Sequence, residues 1–95
     1  MKQDAVMHVE KSVVIKNKQG LHARPAALFV QIANKFDSEI TVSKGKLKVN
    51  GKSIMGIMML AASMGTMVTV DASGPQAKEA VDALEILVAS KFDED

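Results

Sequence analysis

The chain has 95 residues, 47% of them hydrophobic, with no cysteine and a formal net charge of +1. This length allows one compact domain and is too short for two domains with separate cores. The lack of cysteine excludes a disulfide framework and a thiolate metal site, and no apolar run approaches the roughly 20 residues needed to span a bilayer. Because residues 1–5 lack the basic start and apolar core of a secretion signal, we expect a cytoplasmic protein.

The charges are unevenly distributed along the chain. Residues 1–52 contain ten Lys/Arg and four Asp/Glu, whereas residues 71–95 contain two and seven. This asymmetry predicts that the first half binds an acidic or phosphorylated partner surface. Nucleic acid is not an expected partner, because three Phe and no Tyr or Trp leave almost no platform on which bases could stack.

Hydrophobic periodicity divides the chain into seven elements. Alternation predicts strands at 9–16, 39–43, 47–49 and 67–71, and helical spacing predicts helices at 23–36, from about residue 53, and at 77–88. Residues 1–8 show no clear period and are expected to be a frayed extension, with His8 facing solvent. Each helix has one face to bury, so the order βαββαβα predicts an α+β open-faced sandwich, in which three helices cover one side of a four-stranded, mainly antiparallel sheet.

The second predicted helix is apolar on two faces. One stripe is expected to be buried and contains Ile57, Leu60, Ala61 and Met64. The opposite side is expected to be partly exposed and contains Ile54, Met55, Met58, Met59 and Ala62. Exposed methionines suit a surface that must fit several partners, because their side chains repack easily. The alternative is a helix buried all round.

The stretch from Gly20 to Ala27, GLHARPAA, is typical of a loop that becomes a helix. Gly20 permits a tight turn and Pro25 is suited to a first helical turn, so His22 lies beside unpaired helical N–H groups that can bind an anion. Arg24 adds a guanidinium suited to phosphate oxygens. We therefore predict that His22 is a nucleophile that accepts a phosphoryl group; the alternative is that His22 only caps the helix and Arg24 is a solvated charge.

Ser53 precedes the second predicted helix. A serine at this position most simply caps the helix by accepting a hydrogen bond from a first-turn N–H. The neighbouring Gly51-Lys52-Ser53 is similar to the end of a nucleotide-binding P-loop, but that motif requires a glycine where this chain has Lys46, so we reject it. No metal site and no hydrolase triad are expected, because neither histidine has a suitably spaced partner in the sequence.

GLHARPAA, followed by Lys52-Ser53-Ile54-Met55-Gly56, resembles the HPr family, the histidine-containing phosphocarriers of the bacterial sugar phosphotransferase system. The resemblance runs from about Val13 to the last helix and implies the open-faced sandwich. It implies that His22 receives a phosphoryl group from enzyme I and passes it to the A component of a sugar permease, with Arg24 and the amides of Ala23 and Arg24 stabilising the phosphate. No cofactor is expected, and the protein would be a monomeric carrier rather than an enzyme.

The resemblance also implies regulation at Ser53. In such proteins the matching serine is the target of a regulatory kinase that recognises the adjacent apolar patch, which here would be formed by Ile54, Met55 and Met58. Many relatives with a phosphorylatable serine carry a larger apolar residue where this chain has Gly51. Two alternatives remain: a carrier in a nitrogen-linked regulatory branch, and a non-enzymatic regulator that binds a transcription factor after Ser53 is phosphorylated.

Overall fold

Four strands form a single antiparallel sheet in the computed structural model, which describes residues 7–94. The strands are β1 His8–Val14, β2 Glu39–Lys44, β3 Leu47–Asn50 and β4 Met67–Ser73, and the helices are α1 Ala23–Ala33, α2 Ile54–Met59 and α3 Ala77–Ala89. The spatial order of the strands is β1-β4-β2-β3. The predicted order βαββαβα and the open-faced sandwich are therefore confirmed.

The core lies between the sheet and the helices because each strand buries alternate residues. Val68, Val70 and Ala72 of β4 are almost fully buried, as are Ile40 and Val42 of β2. The helices supply the facing apolar residues, including Phe29 of α1, Ile57 of α2 and Leu84 of α3. The other side of the sheet is left without a covering layer of helices. Within residues 7–94, no helix is long and apolar enough to cross a membrane.

The end of the extension predicted at 1–8 is part of the sheet and is not frayed. β1 begins at His8, and Gly74 N–H donates to the Met7 carbonyl at 2.9 Å. His8 is exposed, as its position in the strand predicts, and pairs with Asp71. Residues 1–6 lie outside the described residues.

The prediction for the second helix was partly wrong. The prediction holds as far as Leu60, but α2 ends at Met59 and Ala61 follows with a φ of 49°, a left-handed conformation after which the chain no longer follows the helical faces. Ala61 and Met64, expected to be buried, are exposed, whereas Ala62, expected on the other side, is 2% exposed. The helical period continued in the sequence past the point at which the helix stops.

α1 is also shorter than the prediction of 23–36. It ends at Ala33, and the chain reaches β2 through a series of bends in which Phe36 is only partly buried. Close packing against Ile40 explains the glycine at position 51, which the sequence alone does not explain. A Cβ atom there would lie 2.5 Å from Cγ2 of Ile40. A larger residue at this position would force Ile40 to move.

Candidate functional site

His22 is the N-cap residue of α1, as the loop-to-helix pattern predicted. Its backbone is extended, its carbonyl accepts from Ala26 N–H at 3.0 Å, and its side chain makes no capping hydrogen bond. The ring is therefore available for other contacts. It is partly exposed, with 36% of the side chain accessible.

The first turn of α1 offers two backbone donors beside His22. Within residues 7–94, the N–H groups of Ala23 and Arg24 make no hydrogen bond, and Pro25 has no N–H. Such groups at the positive end of an eleven-residue helix favour an anion. Arg24 is exposed and forms no ion pair with the described residues. The local arrangement can therefore hold a phosphoryl group.

The loop that carries His22 is held by the segment that follows α2. Leu21 N–H donates to the Ala62 carbonyl at 2.9 Å, and Gly20 lies so close to that carbonyl that a Cβ atom would be 2.4 Å from its oxygen. Gly20 has a φ of 69°, which a side chain would disfavour. The unexpected burial of Ala62 thus serves to position the site.

Two residues that the sequence analysis did not identify complete the site. Glu94 Oε1 lies 3.2 Å from His22 Nε2, and its side chain is only 14% exposed. Asn17 is fully buried, and its Nδ2 donates to Glu94 Oε1 at 2.9 Å and to the Gly20 carbonyl at 2.7 Å. Because Glu94 lies 72 residues from His22, only the folded chain could bring these side chains together.

The end of the chain delivers Glu94 through an unusual turn. Lys91, Phe92 and Asp93 all have a φ between 55° and 59°, so the chain makes a left-handed turn after α3. Phe92 is completely buried and fixes this turn to the core. This turn therefore makes Glu94 part of the His22 site.

Ser53 is the N-cap of α2, as predicted: its Oγ accepts from Gly56 N–H at 2.9 Å. The exposed side chains that follow include those of Ile54, Met55 and Met58, which are 43%, 76% and 42% accessible. Arg24 and Ile54 line the same shallow groove between α1 and α2. The fold thus brings Ile54, one of the predicted docking residues, into the same groove as Arg24, one of the residues predicted to bind phosphate.

Comparison with known proteins shows the family to which the chain belongs. The family model for the PTS HPr component phosphorylation site matches residues 9–90. HPr-like protein Crh of Halalkalibacterium halodurans is 55% identical over 76 residues, covering 80% of this chain and 90% of that protein. Phosphocarrier protein HPr of Cupriavidus necator is 45% identical over 86 residues, covering 90% and 97%.

The similarity extends to the three-dimensional structure. A crystal structure of HPr-C-His from Thermoanaerobacter tengcongensis is 56% identical, with a TM-score of 0.88 and coverage of 92% of this chain and 98% of that one. The family model, the curated relatives and the fold agree over nearly the whole chain. The chain therefore belongs to the HPr family of phosphotransferase-system phosphocarriers.

Proposed function

We propose that His22 accepts a phosphoryl group from phosphorylated enzyme I and passes it to the A component of a sugar permease. The observation that carries this proposal is the position of the imidazole at the N-terminus of α1, next to the donors of Ala23 and Arg24. These donors stabilise the negative charge that arrives with the phosphoryl group. The Arg24 guanidinium adds a positive charge on the same turn.

Glu94 supports a choice between the two ring nitrogens. A carboxylate only accepts hydrogen bonds, so Nε2 carries the proton when it contacts Glu94 Oε1, and Nδ1 keeps its lone pair. Nδ1 then attacks phosphorus while the bond from phosphorus to the donor histidine breaks, and the donor ring leaves with its electron pair. The reverse exchange with the next protein returns His22 to its starting state.

A partner would dock over the groove between α1 and α2. The exposed Ile54, Met55 and Met58 provide an apolar and adaptable contact, and Arg24 at the edge of the groove provides a positive charge. An acidic partner surface with an apolar centre complements this pair of features. Binding there would place the partner's phosphohistidine beside His22.

The proposal is tested by incubating the purified chain with enzyme I and phosphoenolpyruvate and measuring the intact mass. We expect the gain of one phosphoryl group that acid removes. His22→Ala should abolish the gain, while His8→Ala, a change to the other histidine, should leave it intact. Failure of the unmodified chain to gain the group, or transfer that survives His22→Ala, would contradict the proposal. Adding a sugar-permease A component or a nitrogen-branch acceptor then identifies which branch takes the phosphate.

A second candidate is regulation through Ser53. It is favoured by the 55% identity to a Crh protein, since Crh of Bacillus subtilis is a catabolite repression HPr. Phosphate on Ser53 would add negative charge beside the exposed Ile54 and Met55. This charge would weaken the binding of one partner and create a contact for another. An HPr serine kinase with ATP should add an acid-stable phosphate that Ser53→Ala prevents and Ser63→Ala does not. Absence of that phosphate would eliminate this candidate without affecting the test of His22.

A further inference from the structure

Three metal-ligating side chains meet on the face of the sheet that the helices leave uncovered. His8 and Glu10 are two residues apart on β1 and therefore point to the same side. Asp71 is directly opposite Glu10 in the register of β1 and β4. Its neighbours Val70 and Ala72 are buried toward the helices, so Asp71 faces the same way as His8 and Glu10.

The distances suit a shared ion. One ligand atom from each of the three residues lies within 4.8 Å of the others, and His8 Nε2 is 2.8 Å from Asp71 Oδ1. Ligands of a tetrahedral zinc ion are separated by about 3.3 Å. Small side-chain rotations, with backbone positions fixed by the strand pairing, would bring all three atoms to that separation.

The electrostatics also favour a cation. Glu10 forms no ion pair or hydrogen bond with any other residue of the described range 7–94, and Asp71 pairs only with the imidazole. Glu39, the partner of Ser73 in the register of β2 and β4, adds a further negative charge at the same end of the sheet. Two carboxylates and a neutral imidazole would balance the charge of a divalent ion.

We propose that His8, Glu10 and Asp71 bind a divalent transition-metal ion of the zinc type. Imidazole nitrogen combined with carboxylate oxygen suits Zn²⁺, Ni²⁺ or Cu²⁺, whereas Mg²⁺ and Ca²⁺ prefer an all-oxygen shell. With three protein ligands, water completes the coordination. The site lies at the end of β1 opposite to the loop that carries His22, about 20 Å along the strand.

Binding of an ion at this site would strengthen the attachment of the edge strand β1 to the sheet. Among residues 7–94, β1 is an edge strand that pairs with β4 alone. The ion would link these two strands by side-chain bonds in addition to their backbone hydrogen bonds. Because it binds the folded state alone, it would raise the temperature of unfolding and leave the phosphotransfer chemistry at His22 in place.

The test is a calorimetric titration of the full chain, without an affinity tag, with ZnCl₂, repeated with MgCl₂. We expect one Zn²⁺ per chain, no measurable binding of Mg²⁺, and an unfolding temperature about 10 °C higher at a hundredfold excess over the dissociation constant. His8→Ala, and separately the double variant Glu10→Gln with Asp71→Asn, should weaken zinc binding at least tenfold.

His22→Ala is the matched control, because His22 also contacts a carboxylate. Zinc affinity unchanged by His22→Ala and lost in His8→Ala supports the site. Absence of zinc binding, affinity that survives His8→Ala, or affinity that disappears with His22→Ala would overturn the proposal, as would equal binding of Mg²⁺. The phosphotransfer assay is separate, so failure of this site says nothing against His22.

Discussion

Ser53 stabilises α2 in addition to any regulatory role, and the two can be separated by substitution. Its Oγ accepts from Gly56 N–H at 2.9 Å, and α2 has only six residues. Ser53→Ala removes that acceptor and should lower the free energy of unfolding by about 1 kcal/mol. For a domain of this size, the unfolding temperature should fall by about 5 °C. Ser53→Asp keeps an acceptor at the cap and should remain within about 0.5 kcal/mol of the unchanged protein.

The measurement is urea and thermal unfolding followed by far-ultraviolet circular dichroism. Ser90→Ala is the matched control: it removes the same kind of hydroxyl from an exposed site, where Oγ donates to the Leu87 carbonyl, and should change stability by less than about 0.5 kcal/mol. The capping argument is refuted if Ser53→Ala is as stable as the unchanged chain, or if Ser53→Asp loses as much as Ser53→Ala. Phosphotransfer to His22 should continue in Ser53→Ala and Ser90→Ala, because a loss of about 1 kcal/mol leaves most molecules folded.

Three further substitutions test the site and the core. Arg24→Ala should slow phosphoryl transfer from enzyme I about 10- to 100-fold in rapid-quench measurements, with unchanged unfolding, because one charged donor is lost; an unchanged rate would exclude Arg24 from the site. Gly20→Ala should cost about 2–3 kcal/mol in urea unfolding, because its Cβ would approach the Ala62 carbonyl oxygen to 2.4 Å at positive φ; a neutral effect would refute that contact. Leu84→Ala should cost about 3 kcal/mol by leaving a cavity in the core; a loss below about 1 kcal/mol would show that the core collapses to fill it.

Local sequence patterns predicted the parts of the molecule that local physics determines. The loop-to-helix signal placed His22 and Arg24 at the start of α1, and Ser53 was correctly identified as a cap because that hydrogen bond spans three residues. The predicted burial of the second helix was wrong from Ala61 onward, because the backbone leaves the helical conformation there although the apolar period continues in the sequence. Periodicity describes which residues could share a face, and it does not show where the chain stops turning.

Contacts between distant segments could not be predicted in this way. Glu94 and Asn17 reach His22 through the packing of the last turn, and nothing near residue 22 in the sequence indicates them. Asp71 meets His8 because β4 lies between β1 and β2, a strand order that alternation alone does not specify. The expectation that no metal ligands would converge relied on spacing along the chain, which is blind to cross-strand register.

The contact between Glu94 and His22 depends on the left-handed turn at Lys91, Phe92 and Asp93, so the stability of this turn determines the lifetime of the contact. Three successive residues at positive φ cost about 1 kcal/mol each or somewhat more, whereas burial of the Phe92 side chain returns about 3 kcal/mol. The backbone cost offsets much of the gain from burying Phe92, so this turn should open locally more often than the sheet and helices do. Such opening takes microseconds to milliseconds, and amide hydrogen exchange at Asp93 and Glu94 should be much faster than in α3. While the turn is closed, Glu94 keeps its contact with Nε2 of His22 and leaves Nδ1 facing the arriving partner; while it is open, that contact is absent, so the rate of opening sets how often the imidazole changes its hydrogen-bond partner.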